Sequence, residues 1–160
     1  MSRSIQRVKD AAAKLGLALA VKEMPSITHT AEQAAQACRC ELGQIVKSLV
    51  FMCTETQELV LFLVAGDQQV DISAASLVVG SPLKRADPQT IRKQTGFAIG
   101  GVSPIGHKHK IPIFIAPALF DHKQVWASAG APNAVFSITP DGLKTATQAR
   151  FLTDLCCKFI

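Results

Sequence analysis

A chain of 160 residues with 48% hydrophobic and 18% charged residues is long enough to bury a core and too apolar to be disordered. Its net charge of +5 admits a polyanionic partner without requiring one. The longest apolar run, residues 59–65, suits a strand rather than a bilayer span, and residues 1–13 lack the apolar stretch of an export signal.

In chain order, Ile5, Val8, Ala12 and Leu15 recur at helical spacing, and Gly16 follows as a stop. Residues 17–21 read as a short strand. Thr30 with Gln33 forms a capping box ahead of AEQAAQAC, which predicts a second helix. Residues 44–52 read as a strand and 59–64 as a buried strand, with AGDQQ as the turn after it. Asp71 caps a short helix over 72–79. Asp87-Pro88 opens another helix and Gly96 ends it. Residues 111–115, 124–128 and 135–138 read as strands, and Thr139-Pro140 opens a last helix that runs to about Thr147. Short strands alternate irregularly with short helices, and neither a repeat nor a linker is visible. The expectation is a single mixed α/β domain over residues 1–160.

The five cysteines are Cys38, Cys40, Cys53, Cys156 and Cys157. An odd count without a CxxC pair argues against a disulfide framework and against a zinc site, and fits reduced thiols in a cytoplasmic protein.

Residues 97–110, FAIGGVSPIGHKHK, place three glycines, a serine and a proline between an apolar run and a basic tetrapeptide. Gly100, Gly101 and Gly106 allow tight turns and close approach to backbone N–H groups, and Pro104 stiffens the loop. His107, Lys108, His109 and Lys110 offer donors suited to phosphate. A strand connection with a solvated basic edge has the same composition, so the stretch alone leaves both readings open.

Lys47 is the second anomaly. In QIVKSLVFM its alternation puts it on one strand face with Ile45, Leu49 and Phe51. A lysine on an apolar face either snorkels to solvent at a sheet edge or is held at a pocket floor. In a pocket it would hold an anion, or work as acid or base at a lowered pKa. The His107–His109 pair lacks a third metal ligand of suitable spacing. GVSPIG is neither the GxSxG elbow of a serine hydrolase nor a Walker loop, and no GxGxxG fingerprint occurs.

Taken in order, IVKSLVF, LFLVAGDQQVD, FAIGGVSPIGHKHKIPIFIAPAL and VWASAG resemble the prolyl-tRNA editing domain family of YbaK-like deacylases over residues 5–148. The length is similar to that of the free-standing, trans-editing members. The resemblance implies a mixed, partly barrel-like sheet surrounded by helices, and hydrolysis of the ester joining a wrong amino acid to the terminal adenosine of transfer RNA. It implies Lys47 as the functional lysine, residues 100–104 as the GxxxP loop that holds the aminoacyl adenosine, and Ser128 and Gly130 at the pocket border. The candidate catalytic set is Lys47, Gly101 and Ser103. Thr30, Ser48, Gly100, Val102, Pro104, Gly106, His107, Ser128 and Gly130 are expected around the substrate, and Lys108 and Lys110 on RNA phosphates. The expected partner is the acceptor end of a mischarged transfer RNA, with prolyl-tRNA synthetase as a second; no metal, cofactor, membrane or DNA is expected.

Relatives that act on cysteinyl-tRNA carry an aspartate after the serine, in a segment resembling SGGKRGLD. Here the segment is SAGAPNAV, with Val135 about where that acid would stand. Alanine is therefore the leading substrate, with serine or cysteine behind it. The rival from another class is a domain of the same fold that binds RNA or an aminoacyl end without hydrolysing it.

Overall fold

The computed structural model describes residues 2–160. At its centre is an antiparallel hairpin of β2 (Val46–Cys53) and β3 (Leu59–Ala65), in register from Val46↔Ala65 to Met52↔Leu59. All seven residues of β3 are buried, as expected for a strand with both faces covered. Leu59, Leu61, Leu63 and Ala65 face the larger apolar cluster, and Val60, Phe62 and Val64 face a second one.

Three more short strands complete this sheet: β5 (Leu83–Arg85), β6 (Ile113–Ile115) and β9 (Arg150–Phe151), in the order β5-β2-β3-β6-β9. β6 is parallel to both its neighbours, and the other pairings are antiparallel. A second sheet has the order β1-β8-β7, from β1 (Val21–Glu23), β8 (Ala134–Ile138) and β7 (Val125–Ala131). The pair β4 (Gln68–Val70) and β10 (Cys157–Phe159) lies apart.

Among the described residues the α-helices are α1 (Arg3–Lys14), α2 (Ala31–Cys38), α3 (Ile72–Val79), α4 (Pro88–Thr95) and α5 (Pro140–Thr147). The caps read from the sequence are present. Thr30, Asp71, Asp87 and Thr139 each accept a hydrogen bond from a backbone N–H in the first turn. Helix α1 packs on β7 and buries Ile5, Val8 and Ala12. Burying side chains the size of Ile5 and Val8 contributes about 1.5–3 kcal/mol each.

The fold is the mixed α/β one that the resemblance implies. Among the described residues its sheets meet at a single parallel bridge, Ile45↔Trp126, and do not close into a barrel. The reason lies in β2. Its outer edge pairs with β5 only at Phe51–Cys53, so no strand covers the stretch between that pairing and the bridge. Two local readings shift. The strand expected at 17–21 begins only at Val21, because Leu17 and Leu19 pack on the core from an extended loop. AGDQQ turns at Gly66-Asp67, and its two glutamines begin β4.

Gly130 pins α1 to β7. Its φ is +101°, and a Cβ there would lie 2.7 Å from the Ser4 carbonyl oxygen. Gly130→Ala should therefore cost about 2 kcal/mol or more of stability. Urea denaturation checks this; an unchanged midpoint would show that the α1–β7 contact yields freely.

Candidate functional site

Lys47 is the second residue of β2 and is half-buried. Its ammonium donates to the backbone carbonyl of Gln68. Gln68 is itself fixed, being buried, with its Oε1 accepting the Ala65 N–H at 3.1 Å. The turn after β3 thus anchors the lysine head. Burial lowers the Lys47 pKa below the ordinary 10.5, against the opposing pull of Glu32, Asp67 and Cys157. Leu49 and Phe51 share its face in the second apolar cluster, whereas Ile45 precedes the strand and packs with Met24 and Ala35.

The alternation of an antiparallel ladder decides what the uncovered edge presents. Cys53 N–H donates to Glu58 on the hairpin side and Thr54 N–H to Pro82 on the β5 side. Counting back by twos, Ser48 and Val50 turn their N–H and C=O away from β3. Ser48 has no backbone partner there among the described residues, whereas the Phe51↔Arg85 pairing sets the Val50 carbonyl against the Ala86 N–H. The Ser48 hydroxyl oxygen is also buried without a hydrogen-bond partner. Such a cluster of unmatched polar groups beside apolar walls is what a ligand site looks like.

Two cavities open along this edge and share Lys47, Ser48, Leu49, Gly100 and Val102. The first, of about 270 Å³, has small walls, with Ala31, Ala34, Ala127, Ala131 and Ala134 among its lining. Thr28, His29, Thr30 and Ser128 add polar groups, and Trp126 and Val135 also line it. The second, of about 530 Å³, is bordered by Val50, Phe51, Ile72, Ile91 and Ile99, with Arg85 as a charged group.

Of the residues singled out in the sequence, Lys47, Ser48, Thr30, Gly100, Val102 and Ser128 come together at these cavities. Gly101 stands behind the wall. Its N–H closes a turn onto Ala98 at 3.0 Å, and a Cβ there would sit 3.1 Å from the Ala131 Cα. Its smallness serves the packing of loop on strand. Ser103 is 0% exposed and lines neither cavity; its Oγ accepts the Ile105 N–H at 3.2 Å. Its carbonyl meets Nε2 of His107 at 2.6 Å, and since a carbonyl only accepts, that nitrogen carries the hydrogen. Burial pushes the His107 pKa down, and its ring meets Phe97 edge-on. His107 is thus a neutral buttress inside the loop, away from both cavities.

Pro104 and Gly106 border a groove on the far side of the loop, and Gly130 packs on α1. Lys108 faces a separate cleft with Arg3, Arg7 and Lys14 of α1, and Lys110 donates to Gln148 at 3.0 Å. No cluster of three or more metal-ligating side chains occurs among the described residues. Thr28, His29 and Trp126 were not singled out in the sequence. Thr28 and His29 reach the cavity from the segment before α2 and Trp126 from β7, and the THT stretch at the α2 cap is the one local sign.

The profile of an aminoacyl-tRNA editing domain matches residues 26–146, which span both cavities' polar wall and the glycine loop. The chain belongs to that family. It is similar over 95% of its length to 96% of a solved structure described as a candidate trans-editing enzyme for prolyl tRNA synthetase, at 43% identity and a TM-score of 0.89. It is 29% identical over 136 residues to YwhH of Bacillus subtilis (strain 168), covering 85% of this chain and 86% of that protein. It is 26% identical over 123 residues to EbsC of Enterococcus faecalis (strain ATCC 700802 / V583), covering 76% of this chain and 74% of that protein; EbsC is described as a candidate Cys-tRNA(Pro)/Cys-tRNA(Cys) deacylase. The editing-domain resemblance read from the motifs is therefore correct, and the solved relative has the same fold.

A titration checks the electrostatics of the site. Lys47 should lose its proton below 10.5, because burial acts against the ammonium. Between the folded value and 10.5 the unfolded chain binds the extra proton, so this group makes stability rise with pH in that window. Nitrogen-detected NMR of the Lys47 ammonium reads it directly, and a value at or above 10.5 would show that burial does not dominate its electrostatics.

Proposed function

We propose that this protein is a trans-acting aminoacyl-tRNA deacylase that removes a small amino acid, alanine foremost, from the terminal adenosine of a mischarged transfer RNA. The observation that carries the reading is the junction of the two cavities, where the Lys47 ammonium and the unmatched Ser48 hydroxyl border one space with Gly100 and Val102.

An aminoacyl ester is already activated, so positioning and electrostatics supply most of what hydrolysis needs. The ester carbonyl sits at the junction. Water adds to the carbonyl carbon, the bond to the ribose oxygen breaks, and the proton passes to that departing oxygen. The neighbouring ribose hydroxyl helps to orient the water, a role taken from the family. Lys47 and the loop N–H groups of Gly100 and Val102 stabilise the oxyanion. Gly101 has committed its own N–H to Ala98, and Ser103 acts through the loop by holding His107.

The alanine-lined chamber admits a side chain of few atoms, and Val135 presents an apolar wall there. One methylene changes binding by about 1–3 kcal/mol, so a narrow chamber rejects by steric exclusion what weak attraction cannot sort. The reaction belongs after a synthetase error in the cytoplasm, and the solved relative points to prolyl-tRNA synthetase as the associated enzyme.

Purified protein is incubated with transfer RNAs carrying alanine, serine, cysteine or proline, and loss of the amino acid is followed. Release of alanine fastest supports the reading; retention of all four would leave a binding module of the same fold. In single turnover, Lys47→Ala should lower the rate about 10²–10³-fold, the scale for losing one oxyanion donor. Lys47→Arg keeps a charge that does not titrate and separates the two roles open to the lysine. Activity that survives in this variant and no longer falls at high pH indicates a charge role, whereas wild-type rates with alanine at 47 would remove the residue from the mechanism.

Lys108, Lys110 and the cationic face of α1 should meet acceptor-stem phosphates. Replacing both lysines with alanine should weaken binding of full-length transfer RNA, flatten its salt dependence by up to about two counterions, and spare a minimal alanyl-adenosine. An unchanged salt slope would return residues 107–110 to a solvated edge.

A further inference from the structure

The carbonyl that holds the Lys47 ammonium belongs to Gln68, the first residue of β4. The partner of β4 is β10, in the register Cys157↔Val70, Lys158↔Gln69 and Phe159↔Gln68. Two bonds at the ends of this ladder fix which residues exchange hydrogen bonds. The Ile160 N–H donates to the Asp67 carbonyl at 2.9 Å, and the Asp71 N–H to the Cys156 carbonyl at 2.7 Å. An antiparallel ladder alternates bonded and non-bonded pairs, so Gln69 and Lys158 form the bonded pair between these ends. Gln68 and Phe159 are then a non-bonded pair. The Gln68 carbonyl turns away from β10, to the side where Lys47 takes it.

Little else fixes the direction of this carbonyl. Among the described residues β4 pairs with no other strand, and the Gln68 side chain ties only its own end back to Ala65. The Cys157 thiol, opposite Val70, lies within electrostatic reach of Lys47, so β10 runs beside the site. Yet β10 is held mainly through its backbone. Cys156 is buried in the second apolar cluster and Lys158 pairs with Asp71 at 3.6 Å, but Leu155, Phe159 and Ile160 are 83%, 68% and 75% exposed. A two-stranded ladder with so little burial opens locally.

We propose that β10 is a positioning strand for the reaction: by bonding Asp67, Gln69 and Asp71, it aims the Gln68 carbonyl at the Lys47 ammonium and so sets where that charge stands. The assignment rests on the deacylase reading for the reaction, but what it requires of the protein lies in the ladder alone. Lys158 acts through its backbone N–H, not through its charge. With β10 paired, the 67–71 segment is straight and the ammonium is held at the junction of the two cavities. With β10 open, the segment loses these bonds and the carbonyl loses its fixed direction. A displacement of 1 Å in a reacting group costs about 10²-fold, so a loss of aim falls on the chemical step and spares binding. The strand lies outside residues 26–146, so this support comes from beyond the part of the chain that the editing motifs occupy.

Proline at successive positions separates the two edges of β10. Lys158→Pro removes the N–H that bonds Gln69, whereas the Phe159 N–H points to the open edge, so Phe159→Pro removes no bond to β4. Lys158→Ala keeps the N–H and removes only the ion pair. In single turnover on alanyl-tRNA, Lys158→Pro should lower the rate about tenfold or more, with Phe159→Pro and Lys158→Ala within about twofold of wild type. All three should bind the non-hydrolysable 3′-deoxy-3′-(alanylamido)adenosine as the wild type does. The nitrogen-detected signal of the Lys47 ammonium should move in Lys158→Pro alone. Hydrogen exchange of the wild type adds a measurement that needs no variant to fold: the Lys158 and Ile160 amides should be protected and the Phe159 amide open. Wild-type rates in Lys158→Pro, equal losses in the two proline variants, or equally fast exchange at Lys158 and Phe159 would overturn the assignment. Failure of the deacylase reading looks different: even the wild type leaves every ester intact, while the ammonium signal still separates the two proline variants.

Discussion

One strand edge shared by two partial neighbours determines this site. β2 is fully paired on its β3 side, while on the other side β5 takes only three residues and β7 touches near the strand's start. A sheet that closed over this edge would satisfy Ser48 and abolish both cavities. The small strands that look incidental, β5 above all, matter because they stop where they do. Leaving backbone groups uncovered costs stability unless water or a ligand meets them, and such local deficits are characteristic of functional sites.

The loop opposite that edge is held from behind. Arg7 donates to the Gly96 carbonyl at 2.8 Å and lies over the Phe97 ring. Phe97 is fully buried and meets His107, which donates to the Ser103 carbonyl. Thr95 Oγ1 accepts the Phe97 N–H while donating to Ile91, so the end of α4 sets the start of the loop. A charged group brought into this scaffold would lack a partner, and the lowered pKa of His107 fits that setting. The rigid rear lets Gly100 and Val102 face the cavities with fixed geometry, the condition for electrostatic preorganisation.

The helices were legible because their signals are local: a cap at Thr30, Asp71, Asp87 or Thr139 acts within one turn of its own sequence. The hairpin was legible for a similar reason, since a continuous apolar run needs cover on both faces. The strands β4, β5, β9 and β10 were not, because two or three residues carry no period and depend wholly on a distant partner. At the site, Lys47 stood out by violating its own pattern. Thr28, His29 and Trp126 violate nothing where they stand, and become cavity walls only through tertiary packing. Ser103 and His107 show the opposite case. Their chemistry suggested a role facing the ligand, yet here the Ser103 hydroxyl accepts the Ile105 N–H and the His107 ring donates to the Ser103 carbonyl, both within the loop itself.

The electrostatics of Lys47 connect the fold to the proposed reaction. A fully buried ammonium would lose its proton and with it the charge that an oxyanion needs, whereas a fully exposed one would be screened by water. The half-buried position, with a carbonyl acceptor at Gln68 and Asp67 and Glu32 pulling the pKa back up, lies between these limits. Asp67 belongs to the same turn that supplies the Gln68 carbonyl, so one short segment both places the ammonium and keeps it charged. That coupling explains why a lysine can sit on the apolar face of a core strand: the hairpin's own turn provides what the face cannot.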